Sequence, residues 1–431
     1  MQQTIPSKDL GPWEEPIKNA VNACVHCGFC LPACPTYQEL GEEMDSPRGR
    51  LFLMKEMLEG TVQLEDSLPY IDQCLGCLSC ETACPSGVQY GALLTSYRAL
   101  AEPKRNRSLS DRLLRRLLLE TLPYPNRFRW AVRTGQLGRV VSKLLPKRLR
   151  TMLALLPTSL PAAEPLPPIY PHEGKLRGKV ALLAGCAQQV LAPEINWATL
   201  RVLARNGIEV HIPKSQSCCG ALAAHTGAMQ RAQVAARRNI TAFPADVDAI
   251  VTNAAGCGSG LHEYPLWLRG SDDQAAAEEF AAKACDVSVY LDRIGIVPPA
   301  SASEKIVVAY HDACHLAHAQ KVTHEPRRLL RAIGNVELAE IPDGEICCGS
   351  AGTYNLEQPE TANALGNSKA ENILSTSPDY VVSGNIGCIT QIQSHLQRKN
   401  SSLASQRSIL HTMEFLDLAY QEKASPIRLR R

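Results

Sequence analysis

The sequence predicts an α+β multidomain protein, with a mainly helical, cysteine-rich N-terminal domain followed by two similar α/β halves. Three observations lead to this prediction. Eight of the 17 cysteines fall within the first 100 residues, in two tight groups of equal spacing. From residue 172 onward, strand-like segments alternate with helix-like segments. The cysteine pattern of residues 179–300 then returns in residues 301–431 at an almost constant offset.

Length and composition limit the classes of protein to consider. A chain of 431 residues holds about two to four domains. Its 45% hydrophobic and 20% charged residues exclude a wholly disordered or fibrous chain. The formal net charge is only +2 and aromatic residues make up 5%, so we expect no nucleic-acid partner.

Composition shifts divide the chain into four predicted segments. Residues 1–100 form the cysteine-rich domain, and residues 101–178 combine a basic helical stretch with a proline-rich, extended linker. Residues 179–300 and residues 301–431 form the two similar halves.

The N-terminal domain carries the same cysteine motif twice. The segments CVHCGFCLPACP and CLGCLSCETACP both match C-x-x-C-x-x-C-x-x-x-C-P, the bacterial ferredoxin run for [4Fe–4S] clusters. In such runs the fourth cysteine binds the other cluster. We therefore expect Cys24, Cys27, Cys30 and Cys84 at cluster 1, and Cys74, Cys77, Cys80 and Cys34 at cluster 2. Zinc would usually show two C-x-x-C pairs, not eight cysteines in this arrangement.

The residues around these cysteines have expected structural roles. Gly28 and Gly76 free the backbone where it wraps a cluster. The segment DSPRGRLFLMKEMLEG between the motifs predicts a helix. Its Arg48 and Arg50 either offset cluster charge or lie on the surface.

The segment from Lys104 to Arg150 carries a charge of +12, against −10 for the rest of the chain. Leu113, Leu114, Leu117 and Leu118 fall on one face of a predicted helix within it. These leucines either pack on a neighbouring domain or, with the arginines, dock the protein on anionic lipid or an acidic partner.

The two C-terminal halves each place four cysteines just after strand-like segments, where parallel sheets build their sites. The first set is Cys186, Cys218, Cys219 and Cys257; the second is Cys314, Cys347, Cys348 and Cys388. Three interpretations stay open: an iron–sulfur cluster, redox-active thiols, or zinc or a structural role. His311 and His315 flank Cys314 as ligands, proton carriers or local hydrogen-bonding groups, and Cys285 is expected to be a small buried residue.

The C…CCG…C pattern resembles the cysteine-rich CCG domain of heterodisulfide reductase subunits and of iron–sulfur subunits of flavin dehydrogenases. In the reductases a final C-x-x-C supplies a fifth thiolate to a non-cubane cluster. Here GSG follows Cys257 and ITQ follows Cys388, so the fifth cysteine is missing from both halves.

The whole chain resembles the iron–sulfur subunits of bacterial glycolate oxidases (glycolate dehydrogenases). The resemblance rests on ACVHCGFCLPACPTYQELGEEMDSPRGR, CLGCLSCETACPSGVQY, TNAAGCG and IPDGEICCGSAGTYNL. It implies an electron-transfer subunit that passes electrons from a partner's FAD to a quinone or another membrane acceptor while the partner oxidises glycolate or D-lactate. No G-x-G-x-x-G fingerprint follows a strand, so we expect FAD only in the partner.

Two alternative functions stay open. One is the corresponding subunit of an anaerobic glycerol-3-phosphate or lactate dehydrogenase, and the other is a CCG-type thiol or disulfide reductase. The N-terminal segment lacks a signal-peptide pattern. We therefore expect a cytoplasmic protein, peripheral on the inner membrane if residues 104–150 meet lipid.

Overall fold

The computed structural model describes residues 3–138, 153, 156–157, 159–404 and 408–421. The N-terminal part is helical, as the sequence predicts. Its helices are Glu14–Ala23, Pro35–Leu40, Pro47–Glu59, Leu64–Asp72, Ser79–Thr82 and Tyr90–Ala101, followed by Leu109–Thr121 and Pro125–Gly138 in the basic stretch.

The helix expected between the two cysteine motifs runs from Pro47 to Glu59. Ser46 caps it by accepting a hydrogen bond from the amide of Gly49, and Pro47 occupies the first helical position. Gly60 ends it in the left-handed conformation, with φ of 82°.

Each C-terminal half is built on a parallel sheet whose strands alternate with helices. The strands of the first half are β1 (Ile169–Tyr170), β2 (Gly178–Leu183), β3 (Ile208–His211), β4 (Ala249–Thr252) and β5 (Ala284–Asp286). Those of the second half are β6 (Ile306–His311), β7 (Val336–Ala339), β8 (Tyr380–Ser383) and β9 (Ile409–His411).

Helices connect the strands of both halves. The first half contains Gln188–Leu191, Glu194–Arg205, Ala221–His225, Met229–Ala242, Ala255–His262, Tyr264–Trp267, Gln274–Lys283 and Val287–Ile294. The second half contains His324–Arg331, Tyr354–Glu357, Pro359–Ser375, Ile386–Arg398 and Thr412–Gln421, with a π-helical turn at His315–Ala319.

The two sheets have the same strand order and the same register, which confirms the repeat. The first runs β3-β2-β4-β5, with β1 added antiparallel at the β3 edge, and the second runs β7-β6-β8-β9. Val180 pairs with Val210 and Ala249 in the first sheet, as Val308 pairs with Leu338 and Tyr380 in the second. In the first sheet the chain places β3 on one side of β2 and then β4 on the other side, and in the second sheet it places β7 and β8 on opposite sides of β6. Such a change of side leaves a crevice at the carboxyl ends of β2 and β6.

The halves share one hydrophobic core. It includes Val180 and Val210 from the first sheet together with Val308 and Val382 from the second. The Glu194–Arg205 helix packs on Thr412–Gln421, and the equivalent pair, Val287–Ile294 with His324–Arg331, packs likewise. No helix in the described part of the chain is long and apolar enough to cross a membrane.

Candidate iron–sulfur sites

The structure brings together the first predicted set of ferredoxin cysteines. Cys24 terminates the Glu14–Ala23 helix, while Cys27 and Cys30 lie on the loop that follows. Cys84 comes from the second motif and lines the same small cavity as these three. Within this set, Cys27 is exposed and Cys24 is buried.

The second predicted set lines a neighbouring cavity. Its members are Cys34, Cys74, Cys77 and Cys80. Cys34 leaves the first motif because it is the N-cap of the Pro35–Leu40 helix, which carries it toward the second motif. Cys80 lines both cavities, so the two sites are adjacent.

The surroundings of both sets suit a buried, sulfur-rich anion. The amide of Gly76 lies 3.4 Å from the sulfur of Cys74, and that of Val88 lies 3.5 Å from the sulfur of Cys84. Gly28 has φ of 87° and Gly76 has φ of 64°, as their expected role in the cluster loops requires. Such amide donors stabilise negative charge on thiolates and sulfides.

Arg50 resolves the alternatives for its segment, because it is only 1% exposed. Its guanidinium forms a 2.9 Å ion pair with Asp45 and lies 3.8 Å from the sulfur of Cys34. Arg48 is partly exposed, pairs with Glu43 and donates a hydrogen bond to the carbonyl of His26. Arg50 therefore supplies a buried positive charge beside the second set.

The other predicted cysteines all line one cavity of about 800 Å³. Cys186 follows β2 and Cys314 follows β6, while Cys257 and Cys388 lie in the first turns of helices that follow β4 and β8. The CCG turns come after β3 and β7, with Gly220 and Gly349 in the left-handed conformation. The crevices at the strand ends thus face a common space.

Within each half the thiols form a connected series. The sulfurs of Cys186 and Cys218 are 3.5 Å apart, and those of Cys314 and Cys347 are 3.9 Å apart. The hydrogen bond with Cys347 and then burial raise the pKa of Cys314, whereas hydrogen bonds with Cys186 and Cys219 lower the pKa of Cys218. Several thiolates this close together need a cation, so the donor set fits metal binding.

The two histidines beside Cys314 differ in their surroundings. His315 stacks on His225 with ring centroids 5.6 Å apart, and burial followed by the charge of His225 lowers the pKa of His315 to about 4. His311, at the end of β6, is 1% exposed and lies near Cys348 and Cys388. Burial, then the charge of Lys369, lowers the pKa of His311 to about 3.

The N-terminal domain is joined to the common cavity through Cys77. Cys77 and Cys347 belong to one buried cluster with Tyr354, and Cys314 packs against it. The hydroxyl of Tyr354 donates a 3.4 Å hydrogen bond to Gln73. Sequence reasoning missed this contact, because nothing in either motif shows which cysteine of one domain meets the other.

The basic stretch has two faces in the structure. Leu118 is buried, and Leu118, Phe128 and Val132 line the cavity wall. Leu113 is 69% exposed and does not line the cavity, whereas Leu117 lines its edge and is 49% exposed. The packing interpretation therefore applies to Leu118, whereas docking on lipid or an acidic partner stays a prediction for exposed Leu113. Residues 139–150 of the stretch lie outside the described residues.

Two protein-family models match the chain. A 4Fe-4S dicluster domain matches residues 20–88, and a cysteine-rich (CCG) domain matches residues 180–262 and 308–393. Among solved structures, a hypothetical protein from Helicobacter pylori aligns with a TM-score of 0.54 over 97% of this chain and 74% of that chain. At 10% identity this shows a likeness of fold alone.

Several curated relatives align over most of the chain. The glycolate oxidase iron–sulfur subunit of Escherichia coli is 38% identical over 94% of this chain and 95% of its own length. A probable glycolate oxidase iron–sulfur subunit of Bacillus subtilis is 37% identical over 88% of this chain and 90% of its own length. Lactate utilization protein A of Oceanobacillus iheyensis is 28% identical over 56% of this chain and 96% of its own length. The chain belongs to the family of glycolate oxidase iron–sulfur subunits.

Proposed function

We propose that this chain is the electron-transfer subunit of a flavin-dependent 2-hydroxyacid dehydrogenase that oxidises glycolate to glyoxylate. The observation that carries the proposal is the continuous series of cysteine sites, which runs from exposed Cys27 past Cys77 to Cys347 and Cys314. Clusters bound along this series would exchange single electrons. The chain itself positions them close together and surrounds them with protein.

We assign the ligands as the sequence motifs suggest. Cluster 1 takes its four thiolates from the cavity of Cys24 and Cys84, and cluster 2 from the cavity of Cys34 and Cys77. The eight CCG cysteines bind an additional iron–sulfur cluster at the common cavity. Hydride chemistry belongs to a partner that carries FAD, because a protein with clusters alone moves electrons and needs another cofactor for the organic step.

The loop of cluster 1 is the proposed docking surface for the flavin subunit. Phe29 is 65% exposed and Val25 is 66% exposed, next to Cys27. An exposed aromatic residue beside an exposed ligand suits a partner that delivers electrons there. The CCG cysteines at the cavity, which form the other end of the series, would then pass electrons on to the acceptor.

The acceptor in this proposal is a quinone or another membrane carrier, reached from a peripheral position on the cytoplasmic face. Leu109, Leu113 and Leu117 form an exposed stripe at i, i+4 and i+8 of the Leu109–Thr121 helix, with exposed Arg112 and Arg116 beside it. An apolar stripe flanked by arginines is typical of helices that lie on anionic lipid.

The test is anaerobic co-purification of the full chain with its flavin-containing partners, followed by dye reduction with glycolate, D-lactate and glycerol 3-phosphate. Glycolate turnover that passes to a quinone analogue only when this chain is present supports the proposal. Turnover with lactate or glycerol 3-phosphate alone would assign the relay to another dehydrogenase. Reduction of disulfides without any flavoprotein would instead place the activity at the CCG cysteines.

A further inference from the structure

His311 is a buried histidine whose surroundings hold no hydrogen-bond partner for it. It is 1% exposed, and within the described residues neither Nδ1 nor Nε2 makes a hydrogen bond. Leaving a buried polar group without a partner is unfavourable, so an unpartnered histidine in the core calls for an explanation. His411, the buried histidine at the end of β9, has one such nitrogen, Nε2, but its Nδ1 accepts a 3.1 Å hydrogen bond from the amide of Met413.

The position of His311 suggests what it binds. A ring nitrogen of His311 and the sulfurs of Cys348 and Cys388 all lie within 4.8 Å of one another. All three residues are buried. Imidazole nitrogen and thiolate sulfur are the donors that hold zinc and that also occur together on iron–sulfur clusters.

The repeat shows that this arrangement is a property of the second half alone. In the second sheet His311 on β6 pairs with Ser383 on β8. In the first sheet the equivalent pair is Leu183 on β2 with Thr252 on β4, so Leu183 is the counterpart of His311. A second difference lies nearby. Buried Lys369 donates hydrogen bonds to the carbonyls of Asp343 and Gly344.

Lys369 has an uncharged counterpart in the first half. The glycines of the two CCG turns identify equivalent positions on the helices that they pack against. A Cβ at Gly349 would contact the carbonyl of Ala362, and a Cβ at Gly220 would contact the carbonyl of Ala232, so Ala362 and Ala232 are equivalent. Lys369 lies as far along its helix from Ala362 as Asn239 lies from Ala232, so Asn239 is the counterpart of Lys369. Both side chains are buried. The second site thus differs from the first by an added imidazole and an added cationic side chain.

We propose that His311 is a metal ligand, so that the second CCG half binds its metal through imidazole and thiolate donors while the first half uses thiolates alone. The inference rests on the proposed function only in taking the CCG cysteines as ligands. The donor set takes either an iron–sulfur cluster or a single zinc ion. On a cluster, a histidine in place of a cysteine raises the reduction potential.

The experiment compares the full-length protein, purified anaerobically, with His311→Leu and His311→Cys. Leucine is the residue of the first half, and cysteine keeps a metal donor if the leucine variant fails to fold. His411→Leu is the matched control, since His411 is equally buried at the end of β9. The readouts are iron and zinc per chain, X-ray absorption at the metal edge, and nitrogen coupling in pulsed EPR.

The parent and His411→Leu are expected to show a nitrogen ligand, at about 2.0–2.1 Å if the metal is zinc. His311→Cys should keep the metal but lose the nitrogen signal, and a cluster there should become harder to reduce. His311→Leu should lower metal affinity by roughly tenfold or more.

Two results would overturn the inference. One is nitrogen coordination that survives in His311→Cys, and the other is a parent protein that holds metal only at the ferredoxin cysteines. The first result leaves the proposed relay unchanged, whereas the second would end the relay at cluster 2. Reduction of clusters 1 and 2 by glycolate in the complex tests the relay up to cluster 2 separately.

Discussion

At the scale of single residues, Arg50 illustrates how a charge can be tied to both folding and a cluster. It forms an ion pair with Asp45, which is also buried, and donates hydrogen bonds to Thr36 and to the carbonyl of Tyr70. Its Nη1 lies 3.8 Å from the sulfur of Cys34. The same side chain therefore satisfies a buried carboxylate and would neutralise part of the charge at the proposed cluster 2.

Replacing Arg50 is expected to be costly. Arg50→Gln leaves Asp45 buried without its cation, which should destabilise the fold by about 3–5 kcal/mol. Arg48→Gln is the matched control, because its ion pair with Glu43 is partly exposed and should contribute about 0–1 kcal/mol. Denaturant unfolding followed by circular dichroism measures both, and equal losses would contradict the argument.

Cys285 lies apart from the 16 cysteines that we propose as metal ligands. Cys285 lies on β5, where burial raises its pKa to about 12, and it does not line the cavities that hold the other cysteines. Cys84→Ala should remove about four irons per chain, the content of one [4Fe–4S] cluster. Cys285→Ala should leave the iron content unchanged. Iron analysis of anaerobic protein decides, and iron loss in Cys285→Ala would refute the assignment.

At the scale of secondary-structure elements, the last helix contains a carboxylic acid that titrates in an unusual range. Glu414, in the Thr412–Gln421 helix, accepts a hydrogen bond from the amide of His411. Burial, with Glu194 and Asp417 nearby, raises its pKa from 4.5 to about 7. The folded state therefore binds this proton more tightly than the unfolded state does.

This raised pKa predicts a pH-dependent stability. The contribution of Glu414 is fully present below about pH 4.5 and is lost as the pH rises through about 7. Glu414→Gln keeps the uncharged form, so at pH 8 it should be more stable than the parent by on the order of 2 kcal/mol. At pH 5 the difference should be much smaller, because most of the Glu414 side chains are then protonated in the folded state.

Urea unfolding at both pH values measures this effect. Exposed Glu278→Gln is the control and should change stability little at either pH. Buried Asp286, whose pKa is raised to about 6 by burial, contributes the same slope to all three proteins. A Glu414→Gln variant that is less stable than the parent at pH 8 would contradict the prediction.

The Leu109–Thr121 helix of the basic stretch is the surface that we predict to bind membranes. Leu113→Glu with Leu117→Glu should abolish binding to anionic vesicles, since each leucine contributes about 1–3 kcal/mol when its exposed side enters the bilayer interface. Val234→Glu is the control, because Val234 is 64% exposed on a different helix. Sedimentation with phosphatidylglycerol vesicles measures binding. Unchanged binding of the double variant would exclude this surface.

The sequence predicted elements well where the signal was local. The two ferredoxin motifs, the strands that precede Cys186 and Cys314, and the repeat of the halves all follow from spacing and periodicity. The positions of Arg50 and Lys369 did not, because their burial depends on packing between elements. Likewise, the leucine pattern of the basic helix could not show that Leu118 faces the cavity while Leu113 faces outward.

At the scale of the whole molecule, polar contacts tie each of the three parts to the other two. Arg98 of the N-terminal domain donates a hydrogen bond to the carbonyl of His225 in the first half. Thr82 and His318 form a 2.9 Å hydrogen bond between that domain and the second half. Arg201 joins the halves through Asp417 at 2.7 Å. This arrangement fixes the distance between cysteine sites, which a relay requires.

The final prediction interrupts this series at its middle. Cys74→Ala removes a ligand of the proposed cluster 2, which lies between cluster 1 and the cavity through the packing of Cys77 against Cys347. In the complex, glycolate should still reduce cluster 1, whereas the CCG site should stay oxidised and quinone reduction should fall to the level without this chain. Freeze-quenched EPR and quinone turnover measure both. Cys285→Ala is the control, and undiminished quinone reduction in Cys74→Ala would show that electrons take another route.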